Sequence, residues 1–137
     1  MKNKPLLLLL TFFTTVSITS IAQDRDYSDC IVKESSTWGS VCEKCEYYKE
    51  GFKRSYEETF TVTFRNACRE QVELKVAMQE SNGTWRIFPV RMLMQDERFE
   101  AYACKGSGKY LYWVKRVDDT EIILPSDREI VSEYTEY

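Results

Sequence analysis

Thr59-Phe60-Thr61-Val62-Thr63-Phe64-Arg65 alternates polar and apolar residues without a break. The alternation returns as Val72, Leu74, Val76 and Met78, then meets Asn82-Gly83 and Thr84-Trp85-Arg86-Ile87-Phe88. A period of two puts Phe60, Val62 and Phe64 on one face of a strand, and Val72 to Met78 on one face of the next. Asn-Gly between two such runs predicts a hairpin, because a type I′ turn needs positive φ at both central residues. A two-residue loop pairs Ser81 with Thr84 and sets Met78 opposite Ile87. Trp85 then shares their face and is expected in the core.

Outward from this hairpin toward the C-terminus, Val90 to Met94 reads as a short strand that Pro89 confines to an edge. Gln95-Asp96-Glu97 is a polar turn, and Arg98 to Cys104 alternates again. Lys105-Gly106-Ser107-Gly108-Lys109 reads as a glycine-rich turn into a dense aromatic strand, Tyr110 to Val117. Glu121 to Leu124 is a further short run, ended by Pro125-Ser126-Asp127. Six or seven short strands make residues 56–127 an all-β, small sandwich-like single domain, immunoglobulin-like in general architecture. Residues 128–137 read as a polar tail.

Toward the N-terminus, residues 23–55 read as an irregular, cysteine-bearing arm. Tyr27, Ile31, Val32 and Trp38 would pin it to the domain. Residues 1–22 have the form of a signal peptide: Lys2 and Lys4, a short apolar run from Leu6, and Ser20-Ile21-Ala22 at the cut. That run is too short and too threonine-rich to span a bilayer. The expectation is a secreted or periplasmic protein with no membrane span after cleavage. Without the leader lysines the net charge of −3 falls to about −5. No basic stripe is visible, so nucleic acid is not an expected partner.

In an exported chain the five cysteines, Cys30, Cys42, Cys45, Cys68 and Cys104, read as disulfide partners. Cys68 and Cys104 both lie among the strands and are expected to pair, with one further pair among Cys30, Cys42 and Cys45. Cys42-Glu43-Lys44-Cys45 has the spacing of a thiol–disulfide exchange motif. It lacks the βαβ context of one, and a second ligand pair for zinc, so a structural role is the plainer reading.

The chain has no histidine. That removes Ser-His-Asp and Cys-His chemistry and the commonest general base. No catalytic residue, metal site or cofactor is expected. Asp118-Asp119 reads as a solvated turn. Lys105 to Lys109 could offer backbone N–H groups to an anion, but lacks a P-loop's spacing and following helix. Asn82-Gly83-Thr84 matches a glycosylation acceptor that the hairpin already explains.

Tyr110-Leu111-Tyr112-Trp113-Val114 is apolar on both faces. Tyr110, Tyr112 and Trp113 are the candidate binding residues, since exposed aromatic rings suit sugars or proteins. Core packing is the plainer alternative, with the N-terminal arm, through Tyr27, Trp38, Tyr47 and Tyr48, covering the outward face. Tyr102-Ala103-Cys104, with Asp96 upstream and Cys68 and Trp85 before it, resembles the cysteine, tryptophan, tyrosine-x-cysteine order of immunoglobulin-type sandwiches. Trp85 stands closer to Cys104 than that family's strands require. The resemblance implies a sandwich and no activity. The expected function is that of a small exported non-catalytic binding module, its partner a carbohydrate or a protein. The alternatives are an exported thiol–disulfide protein using Cys42 and Cys45, or an inhibitor of a secreted hydrolase presenting Lys105 to Lys109.

Overall fold

A computed structural model describes residues 26–45 and 56–135. The leader, Tyr47 and Tyr48 lie outside the described residues. The described chain is mostly β, in two antiparallel sheets, with one α-helix and a 3-10 turn at Ser28–Cys30. The strands are β1 (Ile31–Trp38), β2 (Phe60–Asn66), β3 (Val72–Glu80), β4 (Trp85–Ile87), β5 (Arg91–Leu93), β6 (Arg98–Ala103) and β7 (Gly106–Arg116), followed by α1 (Asp127–Tyr134).

β2 is the centre of the first sheet, between β1 and β6. β3 is the centre of the second. β7 runs along one edge of it, while β4 and β5 share the other, at Ala77–Gln79 and Val72–Leu74. The alternation in β2 and β3 has the expected consequence. Phe60, Val62 and Phe64 face Val72, Leu74, Val76 and Met78 across one core, completed by Leu93, Ala101 and Ala103. Gly106 opens β7 where a Cβ would stand 2.7 Å from that of Phe60, so only glycine lets the strand start there.

Asn66 ties the sheets together at the end of β2. It is fully buried, and its Nδ2 donates to the carbonyls of Glu70 (2.9 Å) and Leu93 (3.0 Å). Its Oδ1 accepts from the Cys68 N–H at 2.9 Å. A buried amide with its donors and acceptor engaged fixes the loop without an unsatisfied polar group.

The hairpin forms one register away from the expected one. Ala77 pairs with Ile87, Met78 with Arg86 and Gln79 with Trp85. Three residues, Ser81, Asn82 and Gly83, make the loop, with the Gly83 N–H bonded to the Glu80 carbonyl and Gly83 at φ +85°. A three-residue loop with glycine in the left-handed region is the next commonest hairpin after the two-residue form. Because side chains alternate, this slip moves Trp85 off the core face and onto the outer face of the second sheet.

The arm is not irregular throughout. Residues 31–38 form β1, an edge strand on β2 with a bulge between Lys33 and Ser35. The bulge aims Glu34 at two arginines that face each other across β2 and β6, Arg65 and Arg98. Like charges directly opposite are unfavourable in a sheet, and Glu34 offsets this pair. Glu121 to Leu124 forms no strand, and the glycine-rich stretch is not a free turn, since β7 already begins at Gly106. The polar tail contains α1. Ser126 Oγ accepts from the Glu129 N–H while Glu129 reaches back to the Ser126 N–H, a capping box that starts the helix.

The disulfides are Cys30–Cys68 and Cys45–Cys104, in place of the expected Cys68–Cys104 bond and of the expected pair among Cys30, Cys42 and Cys45. The reason lies in β2. Cys68 lies two residues past its last, Asn66, whereas Cys104 follows Ala103, which pairs with its first, Phe60. The seven residues between span about 20 Å at a strand's rise, far beyond the roughly 7 Å between Cα atoms that a disulfide bridges. β1 instead brings Cys30 beside the end of β2, where the Ala67 N–H bonds the Cys30 carbonyl. The two bonds join residues 38 and 59 apart. Each is worth about 4 kcal/mol in the chain-entropy account.

Candidate aromatic cleft on the outer face of the second sheet

The outer face of β3 carries Glu73, Lys75, Ala77 and Gln79. Beside them stand Trp85 on β4 and Leu111 and Trp113 on β7. α1 covers much of this face, with Ile130 fully buried. Lys75, itself buried, reaches Asp127 at the helix start, Nζ to Oδ1 at 2.7 Å. At the helix end the Tyr134 ring lies 6.4 Å from that of Trp85 and 5.9 Å from that of Trp113. The Trp85 indole N–H donates to the Tyr134 carbonyl at 3.2 Å.

Next to this contact opens a cleft of about 390 Å³, lined by Gln79, Trp85, Gly108, Lys109, Tyr110, Leu111 and Tyr134. Gln79 is oriented by the Ser107 hydroxyl, which donates to its Oε1 at 2.7 Å, and the Lys109 N–H is bonded in turn to Ser107 Oγ. The site thus has aromatic and aliphatic walls with an amide and an ammonium group beside them. Such a mixture holds a ligand by ring stacking and orients it by hydrogen bonds.

The structure divides the three aromatic candidates. Tyr110 and Tyr112 turn toward the core, their rings 5.7 and 5.6 Å from that of Phe64. Tyr110 also borders the cleft; Tyr112 does not. Trp113 faces the opposite way, against Tyr134. The outward face of β7 is therefore covered at Trp113 by α1. Of the arm residues expected there, Trp38 packs on Phe60 at 4.7 Å between rings. Gln79 and Tyr134 escape the sequence reading. The signal for Tyr134 is present, since Ser126 and Glu129 have capping-box spacing just before Ile130-Val131.

A second cleft, about 360 Å³, lies among Tyr27, Arg116, Asp118 and Asp119. Its groups serve one another. The Tyr27 hydroxyl donates to Asp119 at 2.7 Å, and Arg116 holds Asp118 through two bonds. Bonding to Asp118 raises Arg116 above the ordinary guanidinium range. Asp119 is buried, not part of a solvated turn. Among the described residues no three carboxylate or thiol groups converge as metal ligands, and no helix is long and apolar enough to cross a membrane. Cys42 is unpaired. No family model, curated protein or solved structure matches this chain.

Proposed function

We propose that this chain is a small exported binding module, non-catalytic, that takes a carbohydrate in the cleft between Trp85, Tyr134 and Gln79. The single observation that carries the reading is that cleft: aromatic rings beside an oriented side-chain amide. Apolar sugar faces stack on such rings, and hydroxyl groups exchange hydrogen bonds with amides. Export is supported by the leader-like residues 1–22 and by two disulfides, which persist in oxidising compartments. The two sheets around one core are read as a sandwich, immunoglobulin-like in layering only.

The test is a glycan array probed with the mature chain, followed by calorimetry on the hits. Gln79→Ala and Lys109→Ala should weaken binding at least several-fold while leaving the unfolding midpoint in place. Binding that survives both, or silence across the array from a folded protein, overturns the carbohydrate reading and leaves a protein ligand as the better one.

A further inference from the structure

Three cysteines lie close together in the fold where the arm joins the first sheet. Cys45, almost fully buried, is bonded to Cys104, and Cys42 is a half-buried free thiol three residues before it. The Cys45 N–H bonds the Cys42 carbonyl at 3.0 Å and closes a four-residue turn. A turn of this kind holds its outer Cα atoms within about 7 Å, which is inside the outer limit of disulfide reach. The Cα atoms of Cys45 and Cys104 are 5.5 Å apart. Cys45 therefore has two partners within range.

We propose that Cys42 and Cys104 compete for Cys45, so that the protein exchanges between a Cys45–Cys104 bond and a Cys42–Cys45 bond. The Cys42 thiolate attacks the Cys45 sulfur, the Cys45–Cys104 bond breaks, and its electron pair leaves on Cys104. Cys42 has given its proton to solvent and Cys104 takes one back, so the step needs no oxidant or reductant. The leaving sulfur has a prepared neighbour. Arg86 Nη2 donates to Cys104 Sγ at 3.8 Å, and the guanidinium is held by Glu80 at 3.2 Å and lies over the Tyr102 ring at 5.0 Å. A guanidinium beside a sulfur favours its thiolate. The turn carrying Cys104 has anchors besides the disulfide. Thr59 Oγ1 donates to the Cys104 carbonyl, and the Gly106 N–H bonds the Glu58 carbonyl. Exchange thus frees the segment before Cys45 from the β6–β7 turn and leaves that turn in place.

The experiment uses the oxidised full mature chain, incubated with iodoacetamide at mildly alkaline pH and digested with trypsin without reduction. Trypsin cuts after Lys44, between the two cysteines, so a Cys42–Cys45 bond appears as a linked peptide pair. The expected result is alkylated Cys104 accumulating together with that pair, at a rate independent of protein concentration. Cys42→Ser should abolish labelling at Cys104. Arg86→Gln should slow it several-fold, and Arg86→Lys should recover part of the rate. Label confined to Cys42 with Cys45–Cys104 intact, or labelling of Cys104 that rises with protein concentration, overturns the proposal.

Discussion

Asp127→Asn and Lys75→Met should have very different costs, although they remove the two halves of one ion pair. The Lys75 side chain is 9% exposed and that of Asp127 is 70% exposed. Removing the carboxylate strands an ammonium group beneath α1. Breaking a fully buried pair from one side costs about 3–5 kcal/mol. Here Asp127 stands in water and solvent reaches the ammonium from that side, so the cost falls to about 2 kcal/mol. Asp127 also lies in the first turn of α1, where a negative charge adds about 0.3–1 kcal/mol through the helix dipole. Removing the ammonium instead leaves an exposed carboxylate that water solvates, and methionine keeps an apolar stem of similar length beside Trp113. Lys75→Met should stay within about 1 kcal/mol of the parent. The double variant should be no less stable than Asp127→Asn, because the stranded charge is gone. Urea unfolding with unchanged slope measures all four proteins of the cycle. Equal and additive costs for the two single variants would refute the argument and make the contact an ordinary surface pair.

Other substitutions test other joints. Ile130→Ala should cost about 2–5 kcal/mol in urea unfolding, since Ile130 is the one fully buried side chain of α1. Asn66→Asp places a carboxylate against the carbonyls of Glu70 and Leu93 and should cost at least about 2 kcal/mol near neutral pH, read from the thermal midpoint. Bonding from Arg98, and secondarily from Arg65, holds Glu34 below the ordinary carboxylate range. A depressed folded pKa gives stability that is present above the unfolded value, about 4.3 for glutamate, and is lost as the pH falls below it. Glu34→Gln should therefore flatten the loss of stability on acidification below that value, more visibly at low salt.

The core was legible because β2 and β3 bury one face each, and a buried face imposes strict alternation. Val62, Phe64, Val72 and Leu74 all read correctly for that reason. β1 was not legible because it is an edge strand. From Val32 to Trp38 it is exposed throughout, so no periodic apolar signal marks it. The hairpin was legible in kind and misread in register, since Asn82-Gly83 serves a two- or a three-residue loop and local sequence does not choose between them. That one-residue difference carried Trp85 from the expected core to the cleft. The disulfides depended on which end of β2 each cysteine reached, a question of topology that spacing does not answer. The cleft itself is assembled from Gln79 and Trp85 of the hairpin, Lys109 of β7 and Tyr134 of α1, which the fold brings together and which form no motif.

Under the proposed function, ligand binds beside Trp85. The chain has three tryptophans, and they stand in three surroundings. Trp38 lies on Phe60 in the first sheet, Trp113 lies against Tyr134, and Trp85 borders the cleft with its indole N–H on the Tyr134 carbonyl. Their indole N–H resonances in a nitrogen-15 spectrum report on the three places at once during titration with a panel of oligosaccharides. Ligand in the cleft should shift the Trp85 resonance most and in a saturable way, with smaller shifts at Trp113, which packs on Tyr134, and at Trp38, which lies behind Gly108. A saturable shift at Trp38 alone, or no shift at any of the three across the panel, would contradict it.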